Sequence, residues 1–223
     1  MKTIFLIAIL SASHFCALSQ KKIIEGGFDA GINFNAELGG TISKDVKAGT
    51  VGFNAGAHIK INSTKNFGVK AFLQYEQYGW KYRSLTFENS TGTGFAKGDV
   101  IYKFDYLNLT VLPEFTFGNK IKFNAGAGLF VGLLLNNKTT MKLQDQSAPY
   151  QMTTTSSKSN NLKPLNFGIS GDIGIQIPIN SKMKINFDVR DNAALTSIDK
   201  SESNSSGRKT NALSLIFGVS IPL

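Results

Sequence analysis

Residues 167–179 read FGISGDIGIQIPI. Phe167, Ile169, Ile173, Ile175, Ile177 and Ile179 alternate with Gly168, Ser170, Asp172, Gly174 and Gln176. A period of two is the signature of an extended strand whose sides meet different environments. The same pattern recurs along the chain. Residues 28–38, 51–61, 67–75, 107–117, 121–135, 183–189 and 213–223 each carry an apolar residue at every second position. With the opening stretch they predict eight strands, an even number.

The connections alternate in length. Asn62–Asn66, Gly118–Lys120 and Asn180–Lys182 read as tight turns, and the polar segments near 39–48, 79–99, 136–163 and 193–210 read as long loops, the longest of which, 136–163, has a Ser/Thr/Asn/Lys content suited to a solvated hairpin extension. Short turns at one end and long loops at the other fit an outer-membrane barrel. In one strand the parity changes: Val100, Tyr102, Phe104 and Tyr106 are even, whereas Leu107 onward is odd. Either a bulge near Asp105 or a change of environment above the membrane would account for it.

Alternation alone does not say which side is wet. A lipocalin-like soluble barrel also alternates, with its apolar face inward. Three features favour apolar-out. The polar face is rich in glycine (Gly52, Gly56, Gly126, Gly128, Gly168, Gly174, Gly218), which suits a crowded eight-stranded interior. The strands are about as long as a tilted membrane strand requires. Phe28, Phe67, Phe115, Phe117 and Phe123 near the turns, and Tyr75, Tyr78, Trp80 and Tyr82 toward the loops, suggest two interfacial girdles. The expected fold is all-β: an eight-stranded antiparallel up-and-down transmembrane β-barrel.

The bulk properties agree. The chain has 223 residues, of which 42% are apolar and 17% charged, and carries 22 Gly and a net charge of +9. This is a single-domain length. The basic residues are scattered and no stripe interleaves them with base-stacking aromatics, so no nucleic-acid partner is expected. Residues 1–19 read as a signal peptide with Lys2, an apolar run and Ala17-Leu18-Ser19 before the expected cut; residues 20–223 form the barrel domain. The single cysteine, Cys16, lies inside the leader, and Phe15 fits a lipobox poorly. Disulfides and thiolate chemistry are therefore not expected.

Four stretches resemble the PorT-like outer-membrane barrel family of Bacteroidota: LQYEQYGWKY (73–82), YLNLTVLPEFTF (106–117), FNAGAGLFVGLLL (123–135) and FDVRDNAALTSI (187–198). The resemblance implies an outer-membrane location and, for one member, a role in type IX secretion. No residue motif here carries that role.

A search for chemistry finds little. His58 is the one histidine beyond the leader, placed on the inner face toward the turn end, with no Ser-His-Asp order of convincing local context. One histidine and no cysteine give a poor metal set, and no cofactor, metal or catalytic residue is expected. Glu37, His58, Lys60, Lys70, Glu76, Glu114, Asp172, Lys184, Asp188 and Arg190 are expected to form a polar network in the lumen. Mixed signs suit mutual pairing, since buried charges require partners. The reading is a structural or interaction protein of the bacterial outer membrane, a monomer surrounded by outer-membrane lipid, whose extracellular loops could contact an envelope partner. A small channel, an enzyme acting on lipid and a soluble lipocalin-like binder are the alternatives.

Overall fold

In the computed structural model the alternating stretches become strands longer than the apolar runs that mark them. The structure describes residues 23–88, 95–145, 151–157, 161–180, 182–200 and 207–223. The expected leader, 1–19, lies outside them. The strands are β1 (Ile23–Leu38), β2 (Lys47–Asn62), β3 (Phe67–Glu88), β4 (Phe95–Phe117), β5 (Lys122–Asp145), β6 (Gln151–Ser157), β7 (Leu165–Pro178), β8 (Lys184–Ala194) and β9 (Lys209–Pro222).

Eight of these strands close a ring of antiparallel neighbours in the order β1-β2-β3-β4-β5-β7-β8-β9. Closure occurs between first and last: Phe28 faces Ala57 of β2 on one side and Val219 of β9 on the other. The ninth strand, β6, stands outside the ring and pairs with the outer part of β5, from Lys138↔Ser157 to Gln144↔Gln151. Much of the 136–163 loop is thus the hairpin extension that its composition suits, built on the outer part of β5. Likewise β3 and β4 run on through most of the 79–99 segment. In these reaches the outer face has left lipid for water, so the apolar alternation fades, and the hairpin pairing persists regardless.

The short turns are hydrogen-bonded. The N–H groups of Ser63 and Thr64 donate to the Phe67 carbonyl, both at 3.0 Å, and Gly118 turns the chain with φ 101°, a left-handed conformation suited to glycine.

The burial pattern settles the sense of the barrel. Phe28 is 77% exposed and Ile173 62%, whereas Glu114, Asn186 and Arg190 on the opposite faces are 0% exposed. A continuous apolar exterior of this kind is stable in lipid and not in water. Ring closure pairs the backbone groups that hydrocarbon could not solvate. The opening alternation is therefore lipid on the odd side and lumen on the even side.

The parity change in β4 has a clear cause. Val100, Phe104, Tyr106, Asn108, Thr110, Leu112 and Glu114 are all buried, so even positions face inward throughout. The interior itself changes, from polar to aromatic. The register slips on the neighbouring strand: Asp105 faces Asn136 while Tyr106 faces Leu134, which leaves Leu135 of β5 as the extra residue. The same parity corrects the expected loop-side girdle. Tyr78, Trp80 and Tyr82 point into the barrel and are buried; Tyr75 alone of that set lies on the outer face, beside Phe53. At the turn end the girdle stands as expected, with Phe67 against Phe115 at 5.0 Å and Phe117 against Phe123 at 5.6 Å between ring centroids.

Candidate functional site

The lumen is lined by odd positions of β1, by even positions of β2, β3, β4, β7, β8 and β9, and by even positions of β5 up to its bulge at Leu135. It is best followed from the turn end upward. At the mouth, Lys184 pairs with Glu25 at 2.6 Å, and Asn62 donates to the same carboxylate at 3.0 Å. Just above, Lys60 pairs with Glu114 and donates to Thr116 at 3.0 Å.

His58 lies one step further in, two residues along β2 from Lys60. Its Nδ1 lies 2.6 Å from Asp29 Oδ2 and its Nε2 lies 3.0 Å from Ser220 Oγ. Gly27 opposite leaves the ring its space: a Cβ there would come within 2.8 Å of Nε2. Asp29, His58 and Ser220 therefore form the very relay the sequence did not suggest. All three are buried, and Asn186 Nδ2 also donates to Ser220 Oγ, at 2.5 Å. The hydroxyl is held on both sides.

The middle of the lumen is a charge cluster around one ring. Arg190 Nε pairs with Asp172 at 3.1 Å, and its Nη1 donates to Gln74 at 2.6 Å. Lys70 pairs with Asp188 at 3.2 Å. Both cations lie over Phe72, at 3.6 Å for the Arg190 guanidinium and 4.6 Å for the Lys70 ammonium. Asn124 donates to both carboxylates, at 3.0 Å to Asp188 and 3.3 Å to Asp172. Desolvated charges are tolerable only with such pairing. One level up, Glu76 is surrounded by neutral donors: Tyr78 at 2.5 Å, Asn108 at 2.7 Å and Asn192 at 3.1 Å.

Above Glu76 the lumen is aromatic. Tyr78, Trp80, Tyr82, Phe104 and Tyr106 pack together with Leu162 and Ile198. The last two belong to connections that fold inward. Lys163 N–H donates to the Ile198 carbonyl at 2.7 Å, and Ile198 N–H donates to the Arg208 carbonyl at 2.9 Å. Arg208 completes the cover, paired with Asp199 at 2.5 Å and lying over Tyr102 at 5.1 Å. Burial works against the Arg208 charge, but the Asp199 hydrogen bond and charge more than reverse this and hold its pKa above the ordinary value. The expectation of a lumen filled by polar side chains is corrected here: its loop-side part is an aromatic plug.

Of the ten expected network residues, Lys60, Lys70, Glu114, Asp172, Asp188 and Arg190 form ion pairs with one another. His58 and Glu76 are held by hydrogen bonds at adjoining levels. Lys184 stands at the turn-side mouth, and Glu37 stands apart near the loops, pairing with Lys47 at 3.0 Å and accepting from Tyr82. Asp29, Glu25, Gln74 and Ser220 were missed. Asp29 and Glu25 share the parity of Glu37 on β1, so the same alternation could have found them.

An apolar-outside ring around a desolvated polar core defines a β-barrel that spans the outer membrane of bacteria. The chain belongs to the outer membrane protein beta-barrel domain family, whose model matches residues 18–200. No curated protein sequence matches it. Among solved structures it is similar to Ail, the attachment invasion locus protein of Yersinia pestis, solved in complex with the heparin analogue sucrose octasulfate: 15% identity, 89% of this chain and 99% of that one, TM-score 0.39. It is similar to OprG of Pseudomonas aeruginosa at 14% identity, over 91% of this chain and 95% of that one, TM-score 0.42. A major outer membrane protein of Thermus thermophilus is 10% identical over 92% of this chain and 100% of that one, TM-score 0.45.

Proposed function

We propose that this barrel is a structural or interaction protein, monomeric in the membrane, with its short turns in the periplasm and its long loops outside as the contact surface for an envelope partner. The observation that carries this reading is the seating of Arg190 on Phe72 across the mid-lumen, where both side chains are fully buried. Charge pairs, ring and aromatic plug together fill the space a permeant would need. The extended β3–β4 and β5–β6 hairpins give the loop end a firm scaffold, and rigidly held loops are where such proteins place contacts.

We read the Asp29–His58–Ser220 relay as a strut, not a catalytic triad. Its hydroxyl is buried and engaged by two partners, and a nucleophile needs an approach path for substrate. Within the family, the four sequence stretches quoted above favour a PorT-like member.

Planar-bilayer recording with the refolded protein tests the proposal. It predicts a silent bilayer at protein levels where a control porin conducts. Sustained unitary conductance would favour the channel reading instead.

A further inference from the structure

The turn-side mouth of the lumen is a cavity of about 520 Å³. Its walls include Lys60, Lys65, Lys122, Lys182 and Lys184, with Glu25 as the one carboxylate among them. Lys60 is committed to Glu114 and Lys184 to Glu25. Among the described residues, Lys65, Lys122 and Lys182 form no ion pair. These three come from different places in the chain: the β2–β3 turn, the start of β5 and the β7–β8 turn. Ring closure therefore gathers ammonium groups around one concavity from segments far apart in sequence.

Such a concavity focuses a positive potential, and the mutual repulsion of its lysines is relieved when an anion enters. The cavity is blind, because the level above it is the buried His58, Asn186 and Ser220. It is a place to bind, not a way through. The donors are lysines, not arginines. Ammonium groups on flexible stems act as point charges that meet a tetrahedral oxyanion from several directions, and lysine is an established phosphate-binding residue in this role. The volume falls within the range of small-molecule sites, about 300–1,000 Å³.

We propose that this mouth binds a phosphate group, carried either by a phospholipid headgroup of the adjoining leaflet or by a soluble phosphate ester. The proposal concerns the opposite end of the barrel from the loops and does not rest on their role.

The test is calorimetric titration of inorganic pyrophosphate into the full chain, refolded in a phosphate-free detergent. The expected result is saturable one-site binding, weakened at least about tenfold in the K65Q/K122Q/K182Q variant and further by added salt. The loop-end variant K103Q/K138Q/K142Q, with the same loss of charge, should bind as the parent does. Gel mobility before and after heating checks that both variants fold. Absence of saturation in the parent, or equal weakening in the two variants, would overturn the proposal. Phosphorus analysis of the same proteins extracted from bacterial outer membranes without unfolding separates the two sources. Phospholipid retained by the parent and lost by the turn-end variant identifies a headgroup; pyrophosphate binding with no retained phospholipid identifies a soluble ester.

Discussion

Arg190 and Phe72 meet in the middle of the lumen, the guanidinium carbon 3.6 Å from the ring centroid. One side of the guanidinium plane is thus covered, and its edge is spent on Asp172 and Gln74. Three strands, β3, β7 and β8, are tied together at this point although β3 pairs in the sheet with neither of the other two.

This contact yields the first prediction. Arg190→Met leaves the Asp172 carboxylate desolvated without its guanidinium and should destabilise the barrel by about 3–5 kcal/mol. Removing both charges, in Arg190→Met with Asp172→Leu, should cost distinctly less, because no buried ion is orphaned. Denaturant unfolding of the protein in liposomes measures both. Equal losses would contradict a paired core.

A second prediction concerns the relay. Ser220→Ala strands the hydrogen-bonding groups of His58 and Asn186 and should cost about 1–3 kcal/mol. A fluorophosphonate probe should leave Ser220 of the folded parent unlabelled, by intact-mass spectrometry. A stoichiometric adduct at Ser220 would reassign the relay as a hydrolase triad.

The lipid-facing side gives a third. Ile173 is among the most exposed apolar residues, and it points away from the lumen. Ile173→Arg should lose up to about 2–4 kcal/mol, the range for a cation near the bilayer midplane, falling toward the interfaces. The same change at exposed Thr153, on β6 beyond the ring, should be close to neutral. Refolding yield and unfolding in lipid vesicles distinguish the two.

How much of this was legible in the sequence follows from which contrasts composition can record. Lipid against a polar lumen writes itself as alternation, so Ile173, Asp172 and their counterparts could be assigned to faces directly. Where both environments are apolar the signal fails. Trp80 and Tyr82 look like girdle residues because an aromatic plug and an interfacial belt draw on the same side chains. Where the outer face leaves lipid for water it fails again, and the outer reaches of β3, β4 and β5 read as loops. The partner of His58 was invisible for a different reason. Ser220 lies 162 residues away and is brought beside it only by the closure of β1 on β9.

A fourth prediction lies in the water-exposed β3–β4 hairpin. Ser84 has φ 53°, at a bulge between Tyr82 and Leu85, and its N–H donates to Asp99 at 3.1 Å. Asp99 also pairs with Lys81 at 2.6 Å. The Lys81 hydrogen bond above all holds the Asp99 carboxyl below its ordinary value of 3.8. A carboxyl lowered by folding stabilises above its unfolded pKa, and that contribution fades as pH falls through the folded one. Both partners are solvated, so the effect on global stability is small. The Ser84 amide resonance should nevertheless shift with a midpoint below 3.8, and the transition should vanish in Asp99→Asn. Persistence of the transition in the variant would remove Asp99 as its source.

The ring is dry and apolar outside and polar within, and this is tested most directly along residues 167–177. Spin labels are placed there one at a time in the protein reconstituted in bilayers, and collision with oxygen and with a water-soluble nickel chelate is measured at each. Oxygen accessibility should rise and fall with a period of two, high at 169, 173 and 175, with the nickel chelate excluded from those positions. Nickel accessibility at the odd positions would place them in water and turn the barrel inside out.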